Sequence, residues 1–442
     1  MYIQFTLRSF ILHNTCVNYV KDFIVTQLIA WNKNFKEGET MSKRMEMLKN
    51  LSVENDSKMI LLVMDGLGGL PDIRGKTELE AARTPNIDAL AERSELGFLR
   101  MVDVGITPGS GPGHLSLFGY DPYEYIVGRG ILEACGIGAK VSRGDVCSRG
   151  NFCTYKEGII TDRRAGRLPT EKSAAVVKKL AANIKEIEDI KVTFYPGMEH
   201  RFVAIFSGRG LDEQVYDADP QKEGAPMLWA VAATPEGKRM ADIANKFIKR
   251  VQEVLKDDIP ANSCLLRGFS SAPDIPHLRE LYGIKAAAIA SYPMYRGLAS
   301  LVGMEVEDAG STLEELFDSV KNFWNKHDYF YIHVKYTDSR GEDGDFDEKV
   351  KIIEQVDSLI PKITSLNPDV LVVTGDHSTP AVMRAHSWHD VPFMITSNAC
   401  RFGLHKTFGE NECRFGTIGN ISGYKLMGLM LAHAGRLIKY GA

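Results

Sequence analysis

The sequence predicts an α/β fold in which a mostly parallel sheet, flanked by helices, is interrupted by an inserted second α/β domain. Three short apolar runs rich in Ile, Leu and Val each lead to an acidic residue, which is typical of buried parallel strands. Helical patterns separate these runs, as expected where strands and helices alternate. This strand-and-acid pattern stops between about residues 125 and 282, which indicates the insertion.

Size and composition limit the class of protein. A chain of 442 residues is expected to form two domains rather than one small one. The net charge of −4 argues against a nucleic-acid or anionic-membrane binder, so local arginines must hold any anionic substrate. Seven scattered cysteines without a CxxC pair fit a reducing compartment and argue against a thiolate zinc site. We therefore expect a cytoplasmic protein.

The start of the chain differs from the rest. Residues 1–45 are predicted to be an N-terminal extension without a catalytic role. Their apolar runs are too short to span a membrane. They also lack the features of a secretory signal, and Met41 has the features of an alternative start. We expect residues 56–124 and 283–442 to form the core and residues 125–282 the inserted domain.

The core elements follow in chain order. The run KMILLV leads to Asp65, YFYIHVKY leads to Asp338, and DVLVVTG leads to Asp376 and His377, while DVPFMITS supplies a further strand. Helices are predicted over residues 84–95, 349–363 and 422–438, between and after these strands.

Ligands bind beyond the carboxyl ends of parallel strands, so the acids that follow these strands are expected at one edge of the sheet. Carboxylates this close would perturb one another's pKa values unless cations lay between them. With His386 downstream, the carboxylate and imidazole groups predict a manganese, magnesium or zinc site, and two such ions are a recurring clamp for phosphate.

The turn TPGSGPGHLSLFGYDP places Ser110 among glycines and prolines, with His114 just beyond. Such residues shape a turn, and LSLFGY suits the first turns of a helix, so Ser110 is expected near a helix N-terminus. Metal coordination is one way to activate a serine hydroxyl. Because the sequence contains neither a nucleophile elbow at a suitable strand–helix junction nor a P-loop, we predict an enzyme that forms a phosphoserine.

The insert is predicted to bind an anionic substrate. It contains helical patterns near residues 171–189 and 233–257 and a basic turn, DRRAGR. Arginine binds carboxylate and phosphate groups through two parallel hydrogen bonds. The candidate substrate-binding residues, five in the insert and the last beyond it, are Arg163, Arg164, Arg167, Arg201, Arg267 and Arg296.

From about residue 58 to its end, the chain resembles the archaeal-type 2,3-bisphosphoglycerate-independent phosphoglycerate mutases of the alkaline phosphatase superfamily. The matching stretches are MDGLGG, KTELEAARTPNIDALA, PGSGPGHLSLFGYDP, GRGILEACG, DRRAGR, YPMYRGLASLVGM, TGDHSTP and AHSWHDVP. The resemblance implies an alkaline-phosphatase-like core and a glycolytic and gluconeogenic enzyme that interconverts 3-phosphoglycerate and 2-phosphoglycerate. It also implies two divalent ions, typically Mn²⁺, with Mg²⁺ or Zn²⁺ as alternatives, and a phosphoserine intermediate.

The resemblance also implies roles for individual residues. One ion would be bound by Asp65, Asp376, His377 and the nucleophile Ser110, and the other by Asp338 and His386. Two positions depart from the family: Glu342 stands where a histidine is usual, and Gly111 where close relatives often have aspartate. Asp338 and Glu342 lie four residues apart on a predicted loop that contains SRGEDGDF, the separation at which the family supplies two ligands to one ion. We therefore expect Glu342 to bind the second ion and to favour Mn²⁺ or Mg²⁺ over Zn²⁺. The alternative is that Glu342 points to solvent and Asp343, Asp345 or a water replaces it. His389 falls beside the pattern and is not expected to bind.

Two other functions are consistent with these residues. A metal-dependent phosphatase, phosphodiesterase or other phosphomutase would keep the core residues, but the motifs DRRAGR and YPMYRG favour the glycerate mutase. An inactive metal-binding regulatory relative would have Glu342 as a sign of decay, yet Ser110 is present. The expected partner is a small phosphoglycerate, not nucleic acid or membrane, and the expected assembly is a monomer or small homo-oligomer.

Overall fold

A computed structural model describes residues 42–401 and 405–441 of the chain. Most of the predicted N-terminal extension, residues 1–41, lies outside the described residues. Residues Arg44–Ala442 form one compact unit; of the other unit, Met1–Lys43, the described part is residues 42–43. Within the described ranges, none of the helices is both long enough and apolar enough to cross a membrane.

The strands of the described chain are given in sequence order. They are β1 (Met59–Met64), β2 (Ser94–Arg100), β3 (Val146–Lys156), β4 (Ile159–Asp162), β5 (Glu186–Ile187), β6 (Ile190–Pro196), β7 (Arg201–Ser207), β8 (Val215–Tyr216), β9 (Ala225–Pro226), β10 (Val231–Ala232), β11 (Ser263–Ser271), β12 (Ala286–Ile289), β13 (Glu305–Val306), β14 (Tyr329–Val334), β15 (Val370–Thr374), β16 (Val391–Ser397) and β17 (Gly419–Ser422).

The α-helices are likewise numbered along the chain. They are α1 (Lys43–Leu51), α2 (Glu78–Ala81), α3 (Pro85–Ala91), α4 (Ser110–Leu117), α5 (Arg129–Gly136), α6 (Thr170–Asn183), α7 (Lys238–Leu255), α8 (Leu278–Tyr282), α9 (Pro293–Leu301), α10 (Leu313–Phe323), α11 (Tyr336–Asp343), α12 (Phe346–Thr364), α13 (Glu410–Cys413) and α14 (Leu426–His433).

The larger sheet has the strand order β13-β12-β14-β1-β15-β16-β2-β17. Its pairs are parallel except that β16 runs antiparallel to both β15 and β2. Residues 375–390, which connect β15 to β16 and are all described, contain no helix that could return the chain for a parallel crossover. The predicted α/β class with a mostly parallel sheet is confirmed, with β16 as the exception.

Helices cover the sheet and explain why its central strands are buried at every position. All six residues of β1 and of β14 are buried, as expected for strands packed on both faces. On one face, apolar side chains of α3, α10 and α12 pack in a single core with those of β1, β14 and β15. On the other face, Tyr331 of β14 contacts Phe118 at the end of α4, with ring centroids 4.9 Å apart.

The smaller sheet is antiparallel, with the order β5-β6-β7-β3-β4-β9 and with β11 on the remaining side of β3. Helices α6 and α7 share its apolar core. All its strands come from residues 146–271, within the segment where we expected the insert. The exact domain boundaries remain a prediction.

Three predicted helices are shorter than expected, two because the chain continues into a strand and one because of a glycine. The first ends at Ala91, and residues from Ser94 onward instead pair with β16 and β17 as β2. The second, near 171–189, ends at Asn183 because the chain enters β5. The last helix ends at His433, shortly before Gly435, whose φ of +65° is unfavourable for most residues.

Candidate active site

Ser110 is the first residue of α4, as its turn predicted. Gly109 precedes it with an extended backbone (φ −85°, ψ 166°) and caps the helix. The Ser110 Oγ lies 3.2 Å from the Nε2 atom of His377. The hydroxyl therefore faces a residue that follows β15, although the two are far apart in sequence.

Residues at the ends of β1 and β15 form one group of possible ligands around His377. Asp65 directly follows β1, and Asp376 and His377 follow β15. His377 Nε2 lies 3.2 Å from Asp65 Oδ1 and 3.3 Å from Asp376 Oδ2. One ligand atom from each residue falls within 4.8 Å of the others, and all three residues are buried. The parallel pairing of β1 with β15 brings these side chains together.

A second group contains Asp338, His386 and again His377, with ligand atoms within 4.8 Å of one another. His386 Nε2 lies 3.4 Å from Asp338 Oδ1, and the rings of His377 and His386 stack with centroids 3.6 Å apart. His377 is therefore shared by both groups, a feature that the sequence interpretation, which assigned it to one ion, did not include.

Glu342 lies at the edge of the second group. Its Oε1 is 3.8 Å from His386 Nε2, and its side chain is 56% exposed. We expected Asp338 and Glu342 on a loop, which was wrong: they lie in α11, which ends before Gly344 (φ +77°). Four residues apart in a helix, the two side chains project from the same face.

Two basic side chains near Asp65 were missed by the sequence analysis. His333 Nε2 lies 3.1 Å from Asp65 Oδ2, and Lys335 Nζ lies 3.2 Å from the same oxygen. Lys335 also forms an ion pair with Asp338, so it connects the two groups. The signal was present, since His333 and Lys335 occupy alternate positions near the end of the run YFYIHVKY, which ends two residues before Asp338.

Two further side chains orient the candidate ligands. His114 Nδ1 lies 3.1 Å from Asp376 Oδ2. Thr379 Oγ1 donates to Asp338 Oδ1 at 2.8 Å and lies 2.8 Å from His377 Nδ1. Because a threonine hydroxyl carries one proton, it must accept the second bond from His377 Nδ1–H. The lone pair of His377 is then on Nε2, the atom that faces Ser110 and the first group.

The electrostatic environment keeps the carboxylates ionised. Burial by itself would raise the pKa of Asp338, but contact with His386 and the charge of Lys335 lower it to about 2. Burial opposes a charge on His386 as well, yet Asp338 and a backbone carbonyl raise the pKa of His386 to about 9. Burial by itself would also raise the pKa of Asp65, but contact with His333 and the charge of Lys335 hold that pKa well below its usual value. The site therefore presents anionic oxygens at neutral pH.

These residues fit divalent cations. Asp65 Oδ1 and Asp376 Oδ2 are buried and lie 3.1–3.3 Å from histidine nitrogens, but within the described part of the chain neither oxygen accepts a hydrogen bond of suitable geometry. A buried carboxylate oxygen without a partner is unfavourable unless a cation or donor satisfies it. Carboxylate and imidazole ligands without thiolates are typical of manganese, magnesium and zinc sites.

The arginines predicted to bind substrate occupy different surroundings. Arg163 makes two hydrogen bonds to Asp219, at 3.0 and 2.6 Å, so its guanidinium group is already paired. Arg164 and Arg167 line an open cavity of about 450 Å³. Arg296 lies on α9, next to Tyr295, whose ring stacks on His333 with centroids 3.7 Å apart.

Arg201 and Arg267 lie on one face of the smaller sheet together with Arg149, which the sequence analysis missed. Arg267 is directly opposite Arg149, and Arg201 is opposite Asn151, two residues further along β3. Opposite residues and residues two apart point to the same side of a sheet. Burial, together with the charges of the neighbouring arginines, lowers the pKa of Arg149 to about 10.

Such a concentration of positive charge on one sheet face is unfavourable without anions. Arg267 lies 3.4 Å from Asp217, whereas Arg201 Nε is buried without a hydrogen-bond partner in the described ranges. Helix α5 connects this face to the Ser110 turn. A Cβ atom on Gly130 of α5 would lie 2.4 Å from the Cys147 carbonyl of β3, and one on Gly111 would lie 3.7 Å from Leu132 of α5.

Comparisons with known proteins agree with this arrangement. The family described as 2,3-bisphosphoglycerate-independent phosphoglycerate mutase matches residues 91–262. The chain is 56% identical over 402 residues to a probable 2,3-bisphosphoglycerate-independent phosphoglycerate mutase of Thermotoga neapolitana, covering 91% of this chain and 100% of the relative. The probable enzyme of the same name from Thermus thermophilus is 52% identical over 400 residues, covering 89% and 98%.

Two solved structures share the fold over most of the chain. A protein of Pyrococcus horikoshii is 30% identical with a TM-score of 0.75, covering 88% of this chain and 100% of that one. The cofactor-independent phosphoglycerate mutase of Thermoplasma acidophilum is 28% identical with a TM-score of 0.66, covering 86% and 100%. The chain belongs to the 2,3-bisphosphoglycerate-independent phosphoglycerate mutase family.

Proposed function

We propose that this protein is an isomerase that interconverts 3-phosphoglycerate and 2-phosphoglycerate through a phosphoserine at Ser110. One observation carries the proposal: the Ser110 hydroxyl lies 3.2 Å from His377, the residue shared by both groups of candidate ligands. Membership of the mutase family supports the substrate, and the position of Ser110 at the start of α4 supports its role. Backbone N–H groups at a helix N-terminus favour the phosphate that Ser110 would carry.

The proposal includes two divalent ions, with Mn²⁺ as the proposed metal. Asp65, Asp376, His377 and Ser110 would hold one, and Asp338, His386 and Glu342 the other, with His377 placed between the groups. Bound there, the ions would favour ionisation of the serine hydroxyl and neutralise the phosphate oxygens.

The protein's own residues would act in two transfers. The Ser110 oxygen attacks phosphorus, and the bond from phosphorus to the glycerate oxygen breaks. Arginines would retain glycerate by its carboxylate while it reorients, after which its 2-hydroxyl attacks the phosphoserine and Ser110 is released. Water must be excluded meanwhile, because hydrolysis of the phosphoserine would make the protein a phosphatase. Such an activity is expected in the cytoplasm, and the monomeric or small homo-oligomeric state remains a prediction.

The decisive experiment measures two products from one reaction. Purified protein with Mn²⁺ and 3-phosphoglycerate is assayed for 2-phosphoglycerate and for free phosphate. The mutase proposal requires 2-phosphoglycerate as the main product, its loss on exhaustive chelation and its return with Mn²⁺. Free phosphate as the main product would favour the phosphatase alternative, and activity that survives chelation would contradict the metal site.

Replacing Arg201 by alanine is expected to raise the ratio of free phosphate to 2-phosphoglycerate. Arg201 Nε is buried without a partner in the described chain, so its guanidinium group is available to hold the glycerate carboxylate. Without it, glycerate would leave before the second transfer. The control is Arg209→Ala, an exposed arginine just beyond the same strand. If neither Arg201→Ala nor alanine variants of Arg164 and Arg267 change the ratio, these arginines do not retain glycerate.

Substitution of Glu342 tests its proposed role as a ligand. If it binds the second ion, Glu342→Ala should lose affinity for one Mn²⁺ and activity by about 10-fold or more, and Glu342→His should recover part of both. Its position 3.8 Å from His386 is the reason for this expectation. Calorimetric Mn²⁺ titration of each variant gives the number and affinity of ions. Two ions with unchanged affinity in Glu342→Ala would show that Glu342 is not a ligand.

A further inference from the structure

Lys349, in the first turn of α12, is a fully buried lysine. Its Nζ atom donates to the backbone carbonyls of Gly66 and Thr379 at 2.9 Å each and to that of Gly68 at 3.3 Å. An ammonium group has three N–H donors, and here all three are directed at main-chain oxygens. Lys349 therefore has no donor left for a substrate, and its role must be exerted through the backbone.

The three carbonyls belong to the two loops that carry the first group of candidate ligands. Gly66 and Gly68 follow Asp65 at the end of β1, and Thr379 comes two residues after His377 beyond β15. The loops also contact each other directly, because the Thr379 N–H donates to Gly68 O at 3.0 Å. Lys349 thus contacts both loops at the point where they meet.

A buried carboxylate extends this connection. Glu78 Oε1 lies 3.8 Å from Lys349 Nζ and accepts the backbone N–H of Ala381 at 2.7 Å. The ammonium group and Glu78 are both fully buried, so they compensate each other's charge where water cannot. Glu78 therefore holds the same β15 loop two residues beyond Thr379.

We propose that Lys349 is a positioning residue that ties the β1 loop to the β15 loop and so sets the spacing of Asp65 relative to Asp376 and His377. The inference rests on the proposed metal site. Ligand spacing matters because a metal ion binds tightly only where its ligands are held at suitable distances, and groups that orient ligands without touching the ion commonly affect affinity by about 10- to 100-fold.

The test replaces Lys349 by methionine, which keeps the length and removes the charge and donors. In Lys349→Met we expect Mn²⁺ affinity to fall by about 10- to 100-fold. The kcat should fall at limiting Mn²⁺ and recover at high Mn²⁺, while the KM for 3-phosphoglycerate stays nearly unchanged. The matched control is Lys351→Met, an exposed lysine on the same helix that pairs with Glu348 and should leave Mn²⁺ affinity unchanged.

Measurements are made well below each variant's unfolding temperature, because a purely structural role would lower that temperature without changing Mn²⁺ affinity. Lys349→Gln, which keeps amide donors, serves as a second variant. Unchanged Mn²⁺ affinity in folded Lys349→Met would overturn the inference. The affinity of Lys349→Gln should lie between those of Lys349→Met and the unaltered protein, and a Lys349→Gln affinity no better than that of Lys349→Met would contradict the role of the donors. Failure of both variants to fold would assign Lys349 to stability instead. If the unaltered protein binds no Mn²⁺, the proposed metal site fails first, which separates the two failures.

Discussion

Ser110→Ala should abolish mutase activity, with a loss on the order of 10⁴-fold or more, while the protein remains folded and still binds Mn²⁺. The hydroxyl is the group that would carry phosphate, and it faces His377 Nε2 at 3.2 Å. Alanine is compatible with the first position of α4, so the helix should persist. The measurements are formation of 2-phosphoglycerate, the circular dichroism spectrum and Mn²⁺ binding.

The matched control for this variant is Ser116→Ala on the same helix. The Ser116 hydroxyl is buried and has no hydrogen-bond partner among residues 42–401 and 405–441, so its removal should leave activity nearly intact. Phosphate trapped on the protein after a brief reaction with labelled 3-phosphoglycerate should be present in Ser116→Ala and absent in Ser110→Ala. Near-normal mutase activity in Ser110→Ala would end the phosphoserine proposal.

His377→Ala should have the second-largest effect, because His377 belongs to both groups of candidate ligands. Removing one shared ligand weakens the binding of two ions at once. We therefore expect both Mn²⁺ affinities to decrease and activity to fall by at least about 100-fold. Substitution of a residue that belongs to one group, such as His386→Ala, should lower the affinity for one Mn²⁺ ion more than the affinity for the other. Mn²⁺ titration by calorimetry distinguishes the two patterns.

His389→Ala provides the control for the histidine variants. His389 stacks on Trp388 with ring centroids 5.0 Å apart and lies outside both groups. Its replacement should therefore change neither Mn²⁺ affinity nor kcat appreciably. Loss of a single ion in His377→Ala, with the other affinity unchanged, would show that His377 is not shared between the ions.

Sequence reasoning was most effective where the signal is local. Apolar runs followed by acids identified the strands that carry Asp65 and Asp376, because a strand buried on both faces is apolar throughout. The glycine- and proline-rich turn similarly predicted Ser110 at a helix start. Sequence reasoning was less effective at the ends of elements. The segment containing Glu342 was expected to be a loop but forms α11. This helix packs so closely against the chain after β15 that a Cβ on Gly341 would lie 2.3 Å from the Thr379 carbonyl.

Several residues became recognisable only in three dimensions. From the sequence alone, Lys349 is indistinguishable from an ordinary surface lysine of an amphipathic helix. The structure shows that its ammonium group lies where the β1 and β15 loops meet and is surrounded by their carbonyls. Nothing in the sequence around Arg149 distinguishes it from any other strand residue. The pairing of β3 with β7 and β11 brings it beside Arg201 and Arg267.

The sequence by itself determined the α/β class, the family and the identity of most candidate ligands, since these depend on residue type and on short-range patterns. The tertiary structure decided the antiparallel direction of β16, the sharing of His377 and the neighbours of Lys335 and Lys349. Those features depend on which distant segments are adjacent. Strand pairing and burial decide which distant segments become adjacent, and a short stretch of sequence does not contain that information.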